Sequence, residues 1–404
     1  MKYAFLSILF AFTFFVSCSD DDSGEIIEDP IEAPMNYTFE RNGVSTVSFG
    51  GQTTRILMAS EIVGAFNDFD VATETSVLDM FAHSEGSDDF ENTDLNASSK
   101  NVRSKTAASF DYFNSNTSES AAIKNTFDTY VSTHFSEVVP NRNTLAEAGV
   151  AGQIAQGSSV RYVTAEGLEM NQVFAKGLIG ALMTDQMLNN YLSPAVLDET
   201  DNRENNDAGI TEEGKTYTTM EHKWDEAYGY LFGAAANPEN PLIALGEADG
   251  FLNKYLDRVD SDDDFNGIAS EIFEAFKLGR AAIVAGNYEL RDVQAMIIKQ
   301  KISEVIAIRA VHYLQSGKTA LQNSDMGAAF HSLSEGYGFV YSLRFTRNNA
   351  DDMPFFSASE VENFLTSMMN DGDNGLWDVT PATLDTISNE IAAKFDFTVE
   401  MAAN

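Results

Sequence analysis

Cysteine, histidine and basic residues are scarce in this chain of 404 residues. One cysteine and five histidines are too few for a zinc ribbon, an iron–sulfur site or a thiol redox pair. The 25 lysines and arginines are outnumbered by 62 aspartates and glutamates, which gives a formal net charge of −37 at pH 7. A surface this negative repels phosphate backbones, so nucleic acids are excluded as partners.

The sequence also lacks the local motifs of several large enzyme classes. It contains no H-E-x-x-H zinc motif, no G-x-S-x-G nucleophile elbow, no phosphate-binding loop and no dinucleotide-binding glycine pattern. These absences favour a binding or structural protein, and they leave open whether the chain is an enzyme.

Long hydrophobic runs are missing from the body of the chain. The most apolar stretch there, Val305–Leu314, contains Arg309 and His312 and is too short to span a bilayer. The N-terminus differs, because Lys2 precedes the apolar run Phe5–Val16. This combination is typical of a secretory signal peptide, so we predict that residues 1–17 are removed.

The only cysteine, Cys18, follows directly after this segment and is preceded by the small residue Ser17. The arrangement resembles a bacterial lipobox and predicts a lipoprotein with acyl chains, palmitate among them, attached at Cys18. Ser19 and three aspartates come next, as in Bacteroidetes lipoproteins exported to the cell surface. We therefore expect an outer-membrane protein that faces the cell exterior, with residues 18–36 as an acidic tether. The alternative is an ordinary secretory signal followed by a solvated acidic spacer.

The rest of the chain is dominated by helical periodicity. Alternating residues between Tyr37 and Ile56, with an Asn42-Gly43 turn signal, predict a small β-hairpin first. Beyond it we predict an all-α, multi-helix bundle, so that residues 37–404 form a single domain or two bundles that share a core. Helices are expected at Ser99–Asn114, Thr164–Leu192 and Tyr288–Ser316, and a surface loop at Asp198–Gly214.

Four long blocks of the sequence carry a resemblance to a known family: Gly167–Ser193, Glu221–Leu231, Ala275–Tyr288 and Ser334–Phe345. They look like domain of unknown function 4856, an uncharacterised lipoprotein family of Bacteroidetes, over most of residues 37–404. In outline that family is similar to imelysin-type iron-regulated lipoproteins, which are helical and associated with iron-uptake genes. The resemblance implies an imelysin-like fold and an accessory role in acquiring a metal, iron or haem. Its implied partners are the membrane and an outer-membrane receptor or sister lipoproteins.

The block Glu221–Leu231 contains the densest group of metal-ligand side chains. On a helix, His222 shares a face with Asp225 and Glu226, three and four residues later. The spacing resembles the G-x-H-x-x-E motif of imelysin-type proteins, although Met220 replaces its glycine and Asp225 its glutamate. We predict a site for a divalent cation or iron here; a metal-dependent hydrolase and a plain surface helix with ion pairs are the alternatives.

A second candidate metal site lies in an acidic loop. Asp262, Asp264, Asn266 and Gly267 match positions 1, 3, 5 and 6 of a calcium-binding EF-hand loop. Position 12 is Phe273, which cannot supply the closing carboxylate. The pattern predicts either a weak calcium site or an acidic connection whose aspartates cap the next helix.

Polar residues inside apolar helices form the last group of candidates. Glu169, Gln172 and Lys176 share one stripe of their helix. A buried Arg280 requires a carboxylate partner, and Glu169 or Glu335 is the partner we expect. The group predicts either a structural network or an anion-binding pocket, and its other members are Arg309, His312 and Arg344.

Besides the metal-dependent hydrolase, the sequence supports two functions from different classes. The first is a surface-anchored accessory binding protein for metal, iron or haem. The second is a structural or adhesive envelope protein without a small-molecule site, in which these polar residues pair only with one another.

Overall fold

Helices make up most of the described chain, which in this computed structural model comprises residues 30–349 and 351–404. The residues Glu32–Asn404 form one compact unit. The all-α expectation, with a small hairpin near the N-terminus, is confirmed. The predicted signal peptide, Cys18 and most of the predicted tether lie outside the described residues.

The α-helices are numbered in chain order. They are α1 (Gly50–Ala65), α2 (Glu74–Ala82), α3 (Thr93–Asn96), α4 (Phe110–Phe113), α5 (Thr117–Thr133), α6 (Met170–Leu178), α7 (Pro194–Leu197), α8 (Asn202–Asp207), α9 (Thr219–Phe232), α10 (Leu252–Asp260), α11 (Ile268–Val284), α12 (Tyr288–Gln322), α13 (Met326–Ser342), α14 (Ala358–Met369), α15 (Pro381–Ala392) and α16 (Val399–Ala402). Short 3-10 turns occupy Val139–Asn141, Pro241–Ala244, Leu343–Phe345 and Gly375–Trp377. Within the described residues, no helix has both the length and the hydrophobicity that crossing a membrane requires.

The N-terminal hairpin pairs β1 (Glu40–Arg41) with β2 (Val44–Ser45) in antiparallel register. Its turn residues Asn42 and Gly43 have φ angles of 55° and 76°, which the Asn-Gly sequence accommodates. The strand pattern ends earlier than its alternation suggested, because α1 begins at Gly50.

The sequence patterns did not predict a second antiparallel hairpin, which pairs β3 (Gly152–Gln156) with β4 (Ser159–Val163). Its strands are short, and their alternation is too brief to compete with the helical patterns around it. Two other expectations were wrong. In place of a helix over Ser99–Asn114 there are turns and α4, and the expected loop Asp198–Gly214 contains α8.

The centre of the fold is a helix that runs from Met170 to Tyr191. It consists of α6 followed by two π-helical stretches, Ile179–Thr184 and Met187–Tyr191. Almost every residue along it is buried, as its apolar sequence on all faces requires. This segment, which we name the central helix, packs against α13.

The longest helix, α12, lies beside α11, α13 and α15. It extends to Gln322, beyond the predicted end at Ser316 and the Gly317 that follows it. A Cβ on Gly317 would lie 2.5 Å from the side chain of Leu333, so this glycine allows α13 to approach and does not end the helix.

The central helix and α13 can cross closely because Gly180 has no side chain at their contact. The amide of Gly180 donates to Ser342 Oγ at 3.0 Å, and a Cβ on Gly180 would lie 2.5 Å from the Ser342 Cα.

We expect Gly180→Ala to lower the free energy of unfolding by about 1–3 kcal/mol, because the backbone must move to accept the methyl group. Gly64→Ala is the matched control, since its Cβ meets no atom within 4 Å. It should stabilise by about 0.4–1 kcal/mol. Urea unfolding of both variants measures the difference, and equal effects would contradict this account of the crossing.

Candidate functional site

Buried charges join α9 to α11. Arg280 on α11 is fully buried and donates to Glu221 Oε1 at 3.0 Å and to Asp225 Oδ1 at 3.1 Å. Burial raises the pKa of Asp225, and the Arg280 guanidinium opposes that shift. The expectation that Arg280 pairs with Glu169 or Glu335 was therefore wrong, because the carboxylates of α9 lie opposite it.

The N-terminal hairpin closes this network. Tyr37 OH donates to Asp225 Oδ1 at 2.7 Å, and Arg41 donates to Glu221 through both terminal nitrogens, at 3.0 and 3.1 Å. The backbone amide of Ser48 donates to the other oxygen of Asp225 at 3.1 Å. Two guanidinium groups thus balance two carboxylates, and the group holds the hairpin on the helices.

The three predicted metal ligands on α9 each contact a separate partner. Asp225 belongs to the network just described, and the ring Nδ1 of His222 donates to the carbonyl of Ser48 at 3.1 Å. Glu226 Oε1 accepts from the side-chain amide of Gln52 at 2.9 Å. Among the described residues, no group of three or more histidine, cysteine, aspartate or glutamate side chains is arranged to hold a metal ion.

The acidic loop before α11 makes the contacts of a helix start. Asp262 Oδ1 accepts from the amide of Asp264 at 3.0 Å, and the side-chain amide of Asn266 donates to the carbonyl of Asp260 at 3.1 Å. Asp260 Oδ1 accepts from the amides of Gly267 and Ala269 at 3.1 and 2.9 Å. These bonds satisfy amides at the first turn of α11, as a capping carboxylate does.

Four of the other predicted polar residues, Glu169, Lys176, Arg309 and Glu335, lie between the central helix, α10, α12 and α13. Lys176 Nζ lies 3.1 Å from Glu335 Oε1, which also accepts from the hydroxyl of Tyr255 at 3.2 Å. On the same face, His331 Nδ1 lies 3.2 Å from Glu169 Oε2. Burial raises the pKa of Glu335, but Lys176, His331 and a hydrogen bond from Tyr313 together lower it, and the net shift is downward.

Three cations surround the ring of Tyr255. The Lys176 ammonium lies 5.2 Å from the ring centroid, the Lys254 ammonium 5.6 Å and the Arg309 guanidinium 5.5 Å. Glu335 is the carboxylate bonded within this group. We call these five residues, Lys176, Lys254, Tyr255, Arg309 and Glu335, the Tyr255 cluster.

The cluster has more positive than negative charge. In the described part of the chain, neither Lys254 nor Arg309 forms an ion pair with a carboxylate. Arg309 is 7% exposed and stacks on Tyr313, 4.6 Å from its centroid. Burial lowers the pKa of Lys254, and the Lys176 ammonium lowers it further. Lys254 and Tyr313 are half-buried, so the cluster reaches solvent on that side.

The remaining predicted residues lie outside the cluster. His312 donates through Nδ1 to the carbonyl of Asn404 at 2.9 Å, and burial together with Arg309 lowers its pKa to about 4. Arg344 pairs with Glu119 at 2.6 Å. Gln172 is half-buried at the start of α6.

Sequence reasoning missed Lys254 and Tyr255 on α10. The spacing of these residues could have indicated that they share a helix face. Lys254 and Arg258 are four residues apart, as are Arg309 and Tyr313, and side chains at that spacing lie on the same face of a helix. Nothing in the sequence, however, indicates that α10 lies against α12.

The chain was compared with known protein families, curated proteins and solved structures. The model of one family, described as domain of unknown function (DUF4856), matches residues 34–398. Neither a curated protein nor a solved structure matches the chain.

The buried arginines Arg280 and Arg309 should respond differently to removal of their charge. Arg280→Met leaves Glu221 and Asp225 buried without a partner, so we expect the free energy of unfolding to fall by about 3–5 kcal/mol. Arg309→Met removes ring contacts but leaves no carboxylate unpaired, so a loss of about 1 kcal/mol is expected. Urea unfolding followed by circular dichroism provides the comparison. A loss for Arg309→Met as large as that for Arg280→Met would show that Arg309 is paired in solution.

Proposed function

The chain belongs to the DUF4856 family, and on that premise we propose that it is a lipid-anchored binding protein that captures an anionic ligand at the Tyr255 cluster. The ligand class is an anionic iron complex, either haem with its propionates or a ferric hydroxycarboxylate. Cys18 carries the anchor, which holds the protein on the outer membrane facing the cell exterior, beside a receptor or sister lipoproteins that take the ligand on.

One observation carries the ligand proposal: Lys254 and Arg309 face the same tyrosine ring, and neither forms an ion pair with a carboxylate of residues 30–349 or 351–404. Cations are few in this chain, and most of its buried ones are paired, as Arg280 and Lys176 are. Two like charges that flank one ring repel each other by on the order of 1 kcal/mol at an effective dielectric constant of about 20. A bound carboxylate or similar anion would replace this repulsion with attraction.

The surroundings of the cluster fit a ligand of mixed character. Tyr313 is half-buried, and Arg309 stacks on its ring as well as on the fully buried ring of Tyr255. Planar guanidinium groups bind carboxylates through two parallel hydrogen bonds. A ligand with a carboxylate on an unsaturated or chelating body therefore matches these groups better than a bare cation does.

The ligand proposal is tested by titrating the purified protein separately with haem, ferric citrate and iron-free citrate. We expect one of the iron complexes to raise the unfolding temperature, because a ligand that binds only the folded state stabilises it. Lys254→Gln should weaken that binding about tenfold, the equivalent of 1.4 kcal/mol. Lys301→Gln is the matched control, because Lys301 is a partly exposed lysine already paired with Glu271 at 2.9 Å.

Two results would contradict the ligand proposal. One is binding that Lys254→Gln and Lys301→Gln weaken equally, since the cluster would then have no special part in it. The other is the absence of any stabilisation by haem, ferric citrate or citrate.

That second result would favour the other candidate, a structural or adhesive envelope protein. The observation in its support is that many of the polar residues pair with one another, as Arg280 does with α9 and Arg344 with Glu119. Ion pairs that fix the helices are sufficient for an envelope protein of this kind. Its function would not require the excess of cations around Tyr255.

The anchor proposal has its own test in cells. Labelled palmitate should be incorporated into the wild-type protein, and the protein should fractionate with membranes. Cys18→Ala should lose both properties, because the cysteine thiol is where the lipid is attached. Ser19→Ala serves as the control and should keep them. A Cys18→Ala protein that is still labelled would place the acyl chain elsewhere.

A further inference from the structure

A polar cleft of about 430 Å³ lies between the segment before α4, the end of the central helix and α9. Its lining includes Lys105, Phe110, Asn190, Tyr191 and Lys223. The volume is within the range of small-molecule sites in proteins. None of these residues belongs to the Tyr255 cluster.

Buried side chains of the central helix hold one wall of this cleft in place. Asp185 is fully buried, and its Oδ2 accepts from the backbone amides of Ala108 and Ser109, each at 3.0 Å. Asn190 Oδ1 accepts from the amide of Phe110 at 3.1 Å. The wall is therefore fixed before a ligand arrives, which reduces the ordering cost of binding.

The same helix also fixes the backbone of Lys105. The side-chain amide of Gln186 donates to the Lys105 carbonyl at 3.1 Å. Gln186 lies between the two π-helical stretches, which widen the helix locally. Such stretches inside α-helices occur often at functional sites.

Two lysines face one aromatic ring across the cleft. The ammonium of Lys105 lies 5.9 Å and that of Lys223 lies 5.8 Å from the centroid of Tyr191. Glu226 is the nearest acid, 3.7 Å from Lys223, and it already accepts from Gln52. Within the described residues Lys105 has no carboxylate partner.

Further cations lie behind Lys105. Burial lowers its pKa, and Arg55 lowers it more than Glu226 raises it. The Arg55 guanidinium donates to the carbonyls of Gly51 and Asn101, and it forms no ion pair with a carboxylate in the part of the chain that the structure describes. Lys105, Lys223 and Arg55 thus outnumber the two carboxylates of the cleft lining, Glu199 and Glu226. In a chain whose net charge is −37, this local excess of one cation favours an anion as the group bound between the lysines.

The other residues that line the cleft indicate which groups the ligand carries besides its anionic group. The ring of Phe110 is 43% exposed and offers a flat apolar face. The amides of Asn114 and Asn190, together with the carboxylates of Glu199 and Glu226, supply hydrogen-bond donors and acceptors of the kind that hydroxyl groups need. A saturated ring with hydroxyls on its edge and one acidic substituent meets all three requirements.

We propose that this cleft is a binding site for an acidic sugar, with its carboxylate between Lys105 and Lys223 and its ring against Phe110. The two lysines supply the charge-assisted hydrogen bonds, and the asparagines and glutamates bind the hydroxyls. The site rests on residues separate from those that carry the anionic iron complex, so either one can fail without the other.

Isothermal titration of the purified protein with glucuronate tests the assignment. Glucose is the uncharged control ligand, and acetate is the anion without a sugar ring. We expect glucuronate to bind at least tenfold more tightly than either, and Lys105→Gln or Lys223→Gln to weaken it at least tenfold. Lys254→Gln, in the Tyr255 cluster, should leave it unchanged.

Several outcomes would overturn the proposal. Equal binding of acetate and glucuronate would show an anion site without sugar recognition, and equal binding of glucose would show that the lysines are not used. Failure of glucuronate to bind would remove the site altogether. Lys105→Arg keeps the charge and should retain binding, so it separates loss of the ammonium from loss of folding, which circular dichroism also monitors.

Discussion

The nearly complete burial of the central helix is the constraint on which the rest of the structure depends. A helix with no solvent-facing side has to satisfy every polar side chain it carries inside the protein, because an unpaired buried polar group costs about 1–3 kcal/mol and a buried charge more. The helix nevertheless carries a lysine, an aspartate and several amides among residues that are nearly all enclosed. Their partners fix which elements surround it.

Both candidate sites are built against this helix. At one end, Lys176 binds Glu335 and brings α13 and the ring of Tyr255 against α6. At the other end, Asp185 and Asn190 bind the backbone before α4 and build the wall beside Lys105. The close approach of α13 at Gly180 explains why these contacts can form, since bulkier residues would hold the helices apart. Packing of one helix therefore positions both candidate sites.

The sequence indicated some of the residues of these sites but not how the sites are assembled. Glu169, Lys176, Arg309 and Glu335 could be singled out, because a polar residue in an apolar helix is conspicuous and must find a partner. Which partner it finds depends on which helices are neighbours, and a periodicity of 3.6 residues contains no such information. For that reason Arg280 was assigned to the wrong carboxylates.

In the fold as well, local features could be predicted from the sequence, and features that depend on contacts between helices could not. The hairpin turn at Asn42-Gly43 was predictable because only a few residue types adopt its backbone angles. The extent of α12 was not, because Gly317 resembles a helix end in the sequence and is explained only by Leu333 of α13. Lys105 and Lys223 gave no local signal at all, since they are far apart in the chain and meet only at the ring of Tyr191.

The negative net charge of the chain affects how readily an anion reaches either site. A charge of −37 repels anions at long range and slows their approach. Salt screens that repulsion beyond about 8 Å at physiological ionic strength, whereas charges within a cleft act at shorter distances and are screened less. The local excess of cations therefore decides the affinity, and the acidic surface decides which molecules reach it. Strongly anionic polymers are disfavoured by such a surface, while a small ligand with one or two acidic groups experiences mainly the lysines and arginines that it contacts.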